Sequence, residues 1–290
     1  MGIGPRWTPD TSAINWLADD PDARALIAGL QSGFYPSIPF TTIAEAAATT
    51  DAARRMHLLR VCGALVSSGD CIDPVGEVIR KLVAHFEESA PFDWAKARID
   101  VPEAQDAIAR AEIFTDDLSA LEREQSRASE KAFRTTYDDA KPEFDRLFAS
   151  GSEDVPRSVS ELVTLLQKPG GAFWNMAQKI YDRVAARPAD EATIRRFTEE
   201  CDPFRAMMIA IVAAQFDRCM KSPNRGPSLR TGRTDTFMAI YLPYCDEFVT
   251  SDPRQFECFK EVASIGRLRV SVRMYKDFRR GLLVGAAVSR

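Results

Sequence analysis

Four acidic residues stand where one local pattern gives way to another. Asp10 follows RWTP and precedes the helical spacing of TSAINWLADD. Glu45 comes after the strand-like SIPF, in the first turn of the helix expected there. Asp235 opens the apolar stretch TFMAIYLP, and Asp252 follows EFVTS. In a parallel α/β sheet, strand C-termini and helix N-termini share one edge, and ligands bind along it. Four acids from four segments therefore map to a single edge. Carboxylates buried together repel one another, so their burial calls for a cation. A donor set of oxygen alone suits Mg2+ or Mn2+. Such an ion lowers the pKa of a bound water, orients it, and neutralises charge on a phosphodiester during in-line attack. Hydrolysis of nucleic acid is the reaction this set points to.

Each acid also has a purely structural reading. Glu45 sits three residues after Thr42, the spacing of a capping box. Asp235 at a helix start is stabilised by the helix dipole. Asp252 before Pro253 can initiate the next helix. Asp10 before Thr-Ser can be a turn residue. The neighbouring Asp19, Asp20, Asp22 and Asp246 read as loop or turn residues. Arg225, Arg230 and Arg233 lie in the Gly/Pro/Arg loop that leads to Asp235. They either clamp a phosphate backbone or form a solvated loop. Arg54 and Arg55 are read as pairing with acids of the middle segment or as solvated. Trp94, Phe173 and Trp174 offer base stacking or, as aromatics more often do, core.

The elements that must position these residues fall into three stretches. Residues 1–75 read as α/β: a short strand before Asp10, helical spacing to about residue 30, and FYPSIPF as a strand. Pro36 and Pro39 predict an interruption of that strand. A helix is expected over 41–65, through Ile43, Ala47, Met56, Leu59 and Leu65. Residues 76–230 carry a succession of helix-like segments. Between 99 and 160 there are 15 acids against 8 bases, the pattern of a solvated helical face. Residues 231–290 return to α/β, with a helix over about 235–242 stopped by Pro243. EFVTS is a short strand, PRQFECFKEVASIG a helix ending near Gly266, and RLRVSVRMYKDF a last strand. Positions 254–290 hold nine bases and three acids, a locally basic end of an acidic chain.

Bulk composition narrows the classes. The chain has 290 residues, 45% apolar and 28% charged, with a net charge of −4. That is a globular composition large enough for one large or two smaller domains. Any polyanion would have to meet a local basic surface. Six cysteines are scattered without a CxxC pair, which reads as reduced buried thiols. With only His57 and His85, a histidine metal site or a Ser-His-Asp triad has little support. The opening MGIGPRWTPDTS lacks the apolar core of a signal peptide. The longest apolar run, AMMIAIVAA, falls far short of the roughly 20 residues that span a bilayer. A cytoplasmic protein without a membrane partner is the expectation.

The motifs together carry a resemblance. DTSAINWL resembles the opening acid motif of the PIN-domain nuclease family, and SIPFTTIAEAAA its strand followed by a glutamate-bearing helix. TDTFMAIYLPYCDEFVTSDPRQF is similar to its closing pattern. There an acid opens an apolar helix, and a strand then ends in Thr-x-Asp with Phe four residues on. RVSVRMYKDF fits its final strand. The resemblance covers residues 1–75 and 231–290. It implies a three-layer α/β/α Rossmann-like parallel sheet and a Mg2+- or Mn2+-dependent ribonuclease acting on single-strand-type RNA. Carried over by motif, Asp10, Glu45 and Asp235 would be metal-coordinating acids. Asp252 matches the fourth, more variable acid, and Thr250 the hydroxyl residue beside it. The family core is usually compact, so 76–230 reads as a mostly helical insertion or enlarged cap that in part completes the core. The alternative is a non-catalytic or regulated PIN-like module that acts by binding RNA, or a protein through its acidic helical insertion.

Overall fold

Alternation of side chains across short extended segments builds the sheet. In the computed structural model, which describes residues 4–102, Ile108, a few positions between 120 and 128, 156–219 and 233–288, five strands lie in parallel. They are β1 (Arg6–Pro9), β2 (Tyr35–Pro39), β3 (Asp70–Ile72), β4 (Glu247–Thr250) and β5 (Ser271–Met274). Their order is β3-β2-β1-β4-β5. Neighbouring residues in a strand face opposite ways. Phe248 and Ile72 accordingly enter one core, while Val249 and Cys71 enter another on the opposite face.

The first face is covered by α1 (Thr11–Asp19), α2 (Ala23–Gly33), α3 (Phe40–Ala47) and α4 (Ala52–Val66), all packed around Trp7 and Ile38. The second face is covered from the middle of the chain by α5 (Val75–Glu88), α6 (Val159–Leu166), α7 (Ala172–Tyr181), α8 (Glu191–Glu200) and α9 (Asp202–Cys219). The short α10 (Arg233–Phe237), a 3₁₀ segment (Met238–Tyr244) and α11 (Pro253–Gly266) complete it. The last helix, α12 (Tyr275–Val288), returns to the first face through Tyr275 and Phe278. The chain is thus α/β, with an all-parallel sheet flanked by helices on both faces.

The apolar run of α9 is buried on nearly every side from Phe204 to Ala214, as a helix apolar all round must be. Aromatic packing ties the second-face helices together. Phe197 meets Phe86, Tyr181 and Phe204 with ring centroids 5.1, 5.1 and 4.9 Å apart. Phe173 and Trp174 are buried in the same core, and Trp94 stands edge-on to Tyr244 at 5.2 Å. These three aromatics therefore serve packing. The cysteines at 62, 71, 201, 245 and 258 are free and buried. Among the described residues no helix is long and apolar enough to cross a membrane.

Several local expectations are corrected. β2 runs unbroken through Pro36 and Pro39, because proline's φ is compatible with extended backbone and Pro39 ends the strand at the start of α3. The helix expected over 41–65 is two helices. Asp51 starts the second by accepting the Arg54 N–H at 2.6 Å. β3 has no counterpart in the sequence reading, since three residues carry no period. Gly69 holds the chain flush against β2: a Cβ there would lie 1.8 Å from the Pro36 carbonyl oxygen. The 3₁₀ segment continues through Pro243 to Tyr244. The last strand is only Ser271–Met274. Tyr275 and Phe278, three apart, turn the chain helical so that Phe278 can stack on Trp7 at 5.7 Å. By contrast, α11 coincides with PRQFECFKEVASIG and stops as Arg267 adopts a left-handed φ of 53°.

Phe197→Ala is expected to destabilise the protein by about 3–5 kcal/mol through an unfilled cavity among the rings of Phe86, Phe92, Tyr181 and Phe204. Denaturant unfolding would measure it, and a loss under about 1 kcal/mol would show that the second-face layer is not a cooperative part of the core.

Candidate functional site

The strand order reverses between β1 and β4. From β1 the chain moves outward to β2 and β3, then crosses back to β4 and β5. The helices that follow β1 and β4 leave to opposite faces, α1 to the first and α11 to the second. Such a point opens a crevice beyond the strand C-termini. Asp10 ends β1 there, and Thr250, Ser251 and Asp252 end β4 beside it.

Asp10 is 3% exposed. Its Oδ1 accepts the Ala13 N–H at 2.7 Å, which caps α1. Its Oδ2 accepts the Thr250 hydroxyl at 2.8 Å, and the Ser12 hydroxyl lies 2.9 and 2.8 Å from the two oxygens. Thr250 Oγ1 accepts the Asp252 N–H at 2.9 Å, and Ser12 Oγ accepts the Ser251 N–H at 2.7 Å. The backbone N–H of Asp10 also donates to the Val249 carbonyl at 3.0 Å. Burial pushes the Asp10 carboxyl up to about 7, against the pull of these donors, and the charge of Asp235 adds to the rise. Asp235, on α10, thus acts on Asp10 from a distant segment of the chain.

The other acids occupy more varied positions. Glu45 accepts a hydrogen bond from the Thr11 hydroxyl, on the first turn of α1. It lies in the second turn of α3, because that helix already begins at Phe40. The Thr42 hydroxyl donates instead to the Pro9 carbonyl at 3.3 Å, so the capping box is not formed. Asp252 caps α11, accepting the Arg254 N–H at 2.7 Å. Among the described residues no three Asp, Glu, His or Cys side chains gather closely enough to hold one metal ion. Asp10 and Asp235 are the pair joined by electrostatics, and Glu45 approaches through Thr11.

Three further residues were not singled out from sequence. Ser12 ties both strand ends together, and Asp-x-Ser at a helix start is its only local signal. Asp217, on α9, is buried, and burial together with the charges of Asp217, Glu261 and Asp235 pushes the Cys258 thiol up to about 12. Gln255, in the first turn of α11, is fully buried. Its amide nitrogen approaches the Met238 sulfur at 3.9 Å, while its Oε1 has no partner among the described residues. Asp217 and Gln255 carry no sequence signal, because their helices read as ordinary amphipathic or apolar segments.

The loop acids are held elsewhere. Among the described residues Arg54 binds Asp19 and the Asn15 side-chain oxygen at 3.1 Å; many acids of the middle segment lie outside the described residues. Arg279 binds Asp20 at 2.5 Å and Asp22 at 2.8 Å, which keeps the Asp20 carboxyl below its usual range despite partial burial. Arg225 and Arg230 lie outside the described residues, as does the side chain of Arg233.

Asp10 gives a pH signature with a definite sign. An acid whose folded pKa lies above its unfolded value destabilises the fold as pH rises between the two. Metal-free protein is therefore expected to lose stability from pH 4 to pH 7 and to change no further through this group above 7. The spread from 3.8 to about 7 corresponds to a cost on the order of 4 kcal/mol. Asp10→Asn, which stays neutral, should gain on the wild type over that window. A wild-type-minus-variant difference that is flat with pH would contradict this.

No protein-family model, curated protein or solved structure matches the chain, so its reading rests on the fold and on the residues gathered at the switch point.

Proposed function

We propose that this chain is a PIN-like, divalent-metal-dependent ribonuclease whose reaction centre is the crevice between the ends of β1 and β4. The observation that carries the reading is Asp10. It is a buried carboxyl at the topological switch point, fixed by Ser12 and Thr250 and within electrostatic reach of Asp235 from a distant segment. Buried acids that repel one another at the ligand edge of a parallel sheet suit a cation.

The donors fit Mg2+ or Mn2+ by type and charge. Mg2+ keeps several waters and needs only one or two protein carboxylates beside a substrate phosphate. Asp10 and Asp235 would hold it, with Glu45 and Asp252 as outer acids on the same edge. When bound, the ion supplies an acidified water and neutralises phosphodiester charge. The chain's own residues do the rest. Ser12 and Thr250 hold the Asp10 carboxylate in one orientation, Thr11 does the same for Glu45, and α1 and α11 wall the crevice on either side. Asp10 would have to be deprotonated to hold a cation, so occupancy should favour alkaline pH.

A second reading has its own support. The oxygens of Asp10 are already satisfied by Ala13, Ser12 and Thr250, and no third acid joins it among the described residues. Asp10 would then be a cap and strand staple in a non-catalytic module that binds RNA or protein.

Incubation of the protein with labelled single-stranded RNA and Mn2+ separates the two. Cleavage is expected, with Asp235→Asn and Asp10→Asn each lowering kcat/KM by roughly 100-fold or more, as lost charge stabilisation of several kcal/mol requires. Wild-type protein that cuts neither RNA nor DNA in Mn2+ would leave the binding-module reading.

A further inference from the structure

We propose that Trp16 is a stacking platform for an unpaired nucleobase of a single-stranded nucleic acid entering the crevice. The inference rests on the ribonuclease reading for its substrate class but on separate residues for its contact.

Trp16 is 61% exposed, whereas Trp7 and Trp174 are buried and Trp94 is packed against Tyr244. A single exposed apolar side chain is ordinary. The position of this one is not. Ser12 and Trp16 stand four residues apart on α1, on one face of the helix, with about 6 Å between their Cβ atoms. Helical side chains lean toward the helix N-terminus, which points the Trp16 ring toward the Ser12 turn. Ser12 is the residue that bonds Asp10 and lies 3.3 Å from Thr250 Oγ1. The ring is thus presented on the exposed side of α1, one helical turn from the serine that bonds the buried carboxyl.

The platform is braced. Tyr275, the first residue after β5 on the same sheet edge, places its ring 6.5 Å from that of Trp16, tilted by 39°. Tyr275 is itself buried, and its hydroxyl donates to Asp20 at 3.2 Å. An indole held this way offers a face without the entropy loss of ordering a free side chain. The flanking charge suits a polyanion. Arg254 and Lys276, in the first turns of the helices that follow β4 and β5, are exposed and make no ion pair among the described residues. The basic stretch 254–290 supplies both. Base–aromatic stacking tolerates any sequence and requires an unpaired base, so the strand selected is single.

The test is binding, measured apart from cleavage. Fluorescence anisotropy of an end-labelled oligouridylate or oligoadenylate, in EDTA so that no strand is cut, compares wild type with Trp16→Ala and Trp16→Phe. Trp16→Ala should weaken single-strand binding about 5- to 150-fold, the loss of one stacked base. Trp16→Phe should retain part of it, and a blunt RNA duplex should bind both variants as it binds the wild type. Single strands should also quench tryptophan emission in the wild type and not in Trp16→Ala. Equal single-strand affinity of wild type and Trp16→Ala, or no single-strand binding by the wild type, would overturn the proposal. Trp16-dependent binding without cleavage in Mn2+ would sink the ribonuclease reading and leave the platform standing.

Discussion

A carboxyl group sealed between two strand ends is the constraint on which the candidate site depends. Asp10 begins α1, bonds the hydroxyl that terminates β4, and shares Ser12 with the chain that turns into α11. Removing any one of these donors would leave a buried polar group unsatisfied, at a cost of about 1–3 kcal/mol. The direction of α1, the end of β4 and the cap of α11 are therefore set by one small network. That network sits where the strand order reverses, the place in a parallel sheet where loops part and leave room for a ligand.

The same reversal explains why the chain is long between its sheet-forming ends. A parallel sheet must be covered on both faces. Residues 11–66 cover the first face, and the second is supplied chiefly by helices from 75–219, with α11 and the 3₁₀ segment joining them. The middle of the chain thus supplies a layer of the structure. It also brings α9, and Asp217 with it, into the neighbourhood of Asp235 and Cys258. Acids from opposite ends and from the middle of the sequence come to act electrostatically on common groups because the sheet needs two covers.

Charge elsewhere is neutralised locally, which keeps the crevice distinct. Arg54 and Arg279 occupy the acids of the ADDPD turn, and Lys81 pairs with Asp73 at 2.6 Å beyond the end of β3. Asp73 shares the ligand edge with Asp10, yet its pairing gives it a lysine for a partner. Asp10 has neutral donors around it and an acid within reach.

The sequence was legible where periodicity is long or a cap is explicit. The helices after Asp10 and Pro253, the strands before Asp10 and Asp252, and the α/β class all follow from local pattern, because side-chain burial and helix capping act within a few residues. β3 and the turn from β5 into α12 were not legible, since each is set by a contact with a distant segment: Gly69 against β2 and Phe278 on Trp7. The break after α3 is a local cap, Asp51 on the Arg54 N–H, hidden by apolar spacing that runs on through both helices. The site divides in the same way. The sequence by itself determined which acids stand at strand and helix ends, because those ends are written in local residue types. Only the tertiary structure decided that Asp10 is buried beside Thr250 and feels Asp235, that Glu45 turns to Thr11, and that Trp16 faces solvent above Ser12. Burial, electrostatic reach and exposure are properties of packed surfaces, and no segment carries them alone.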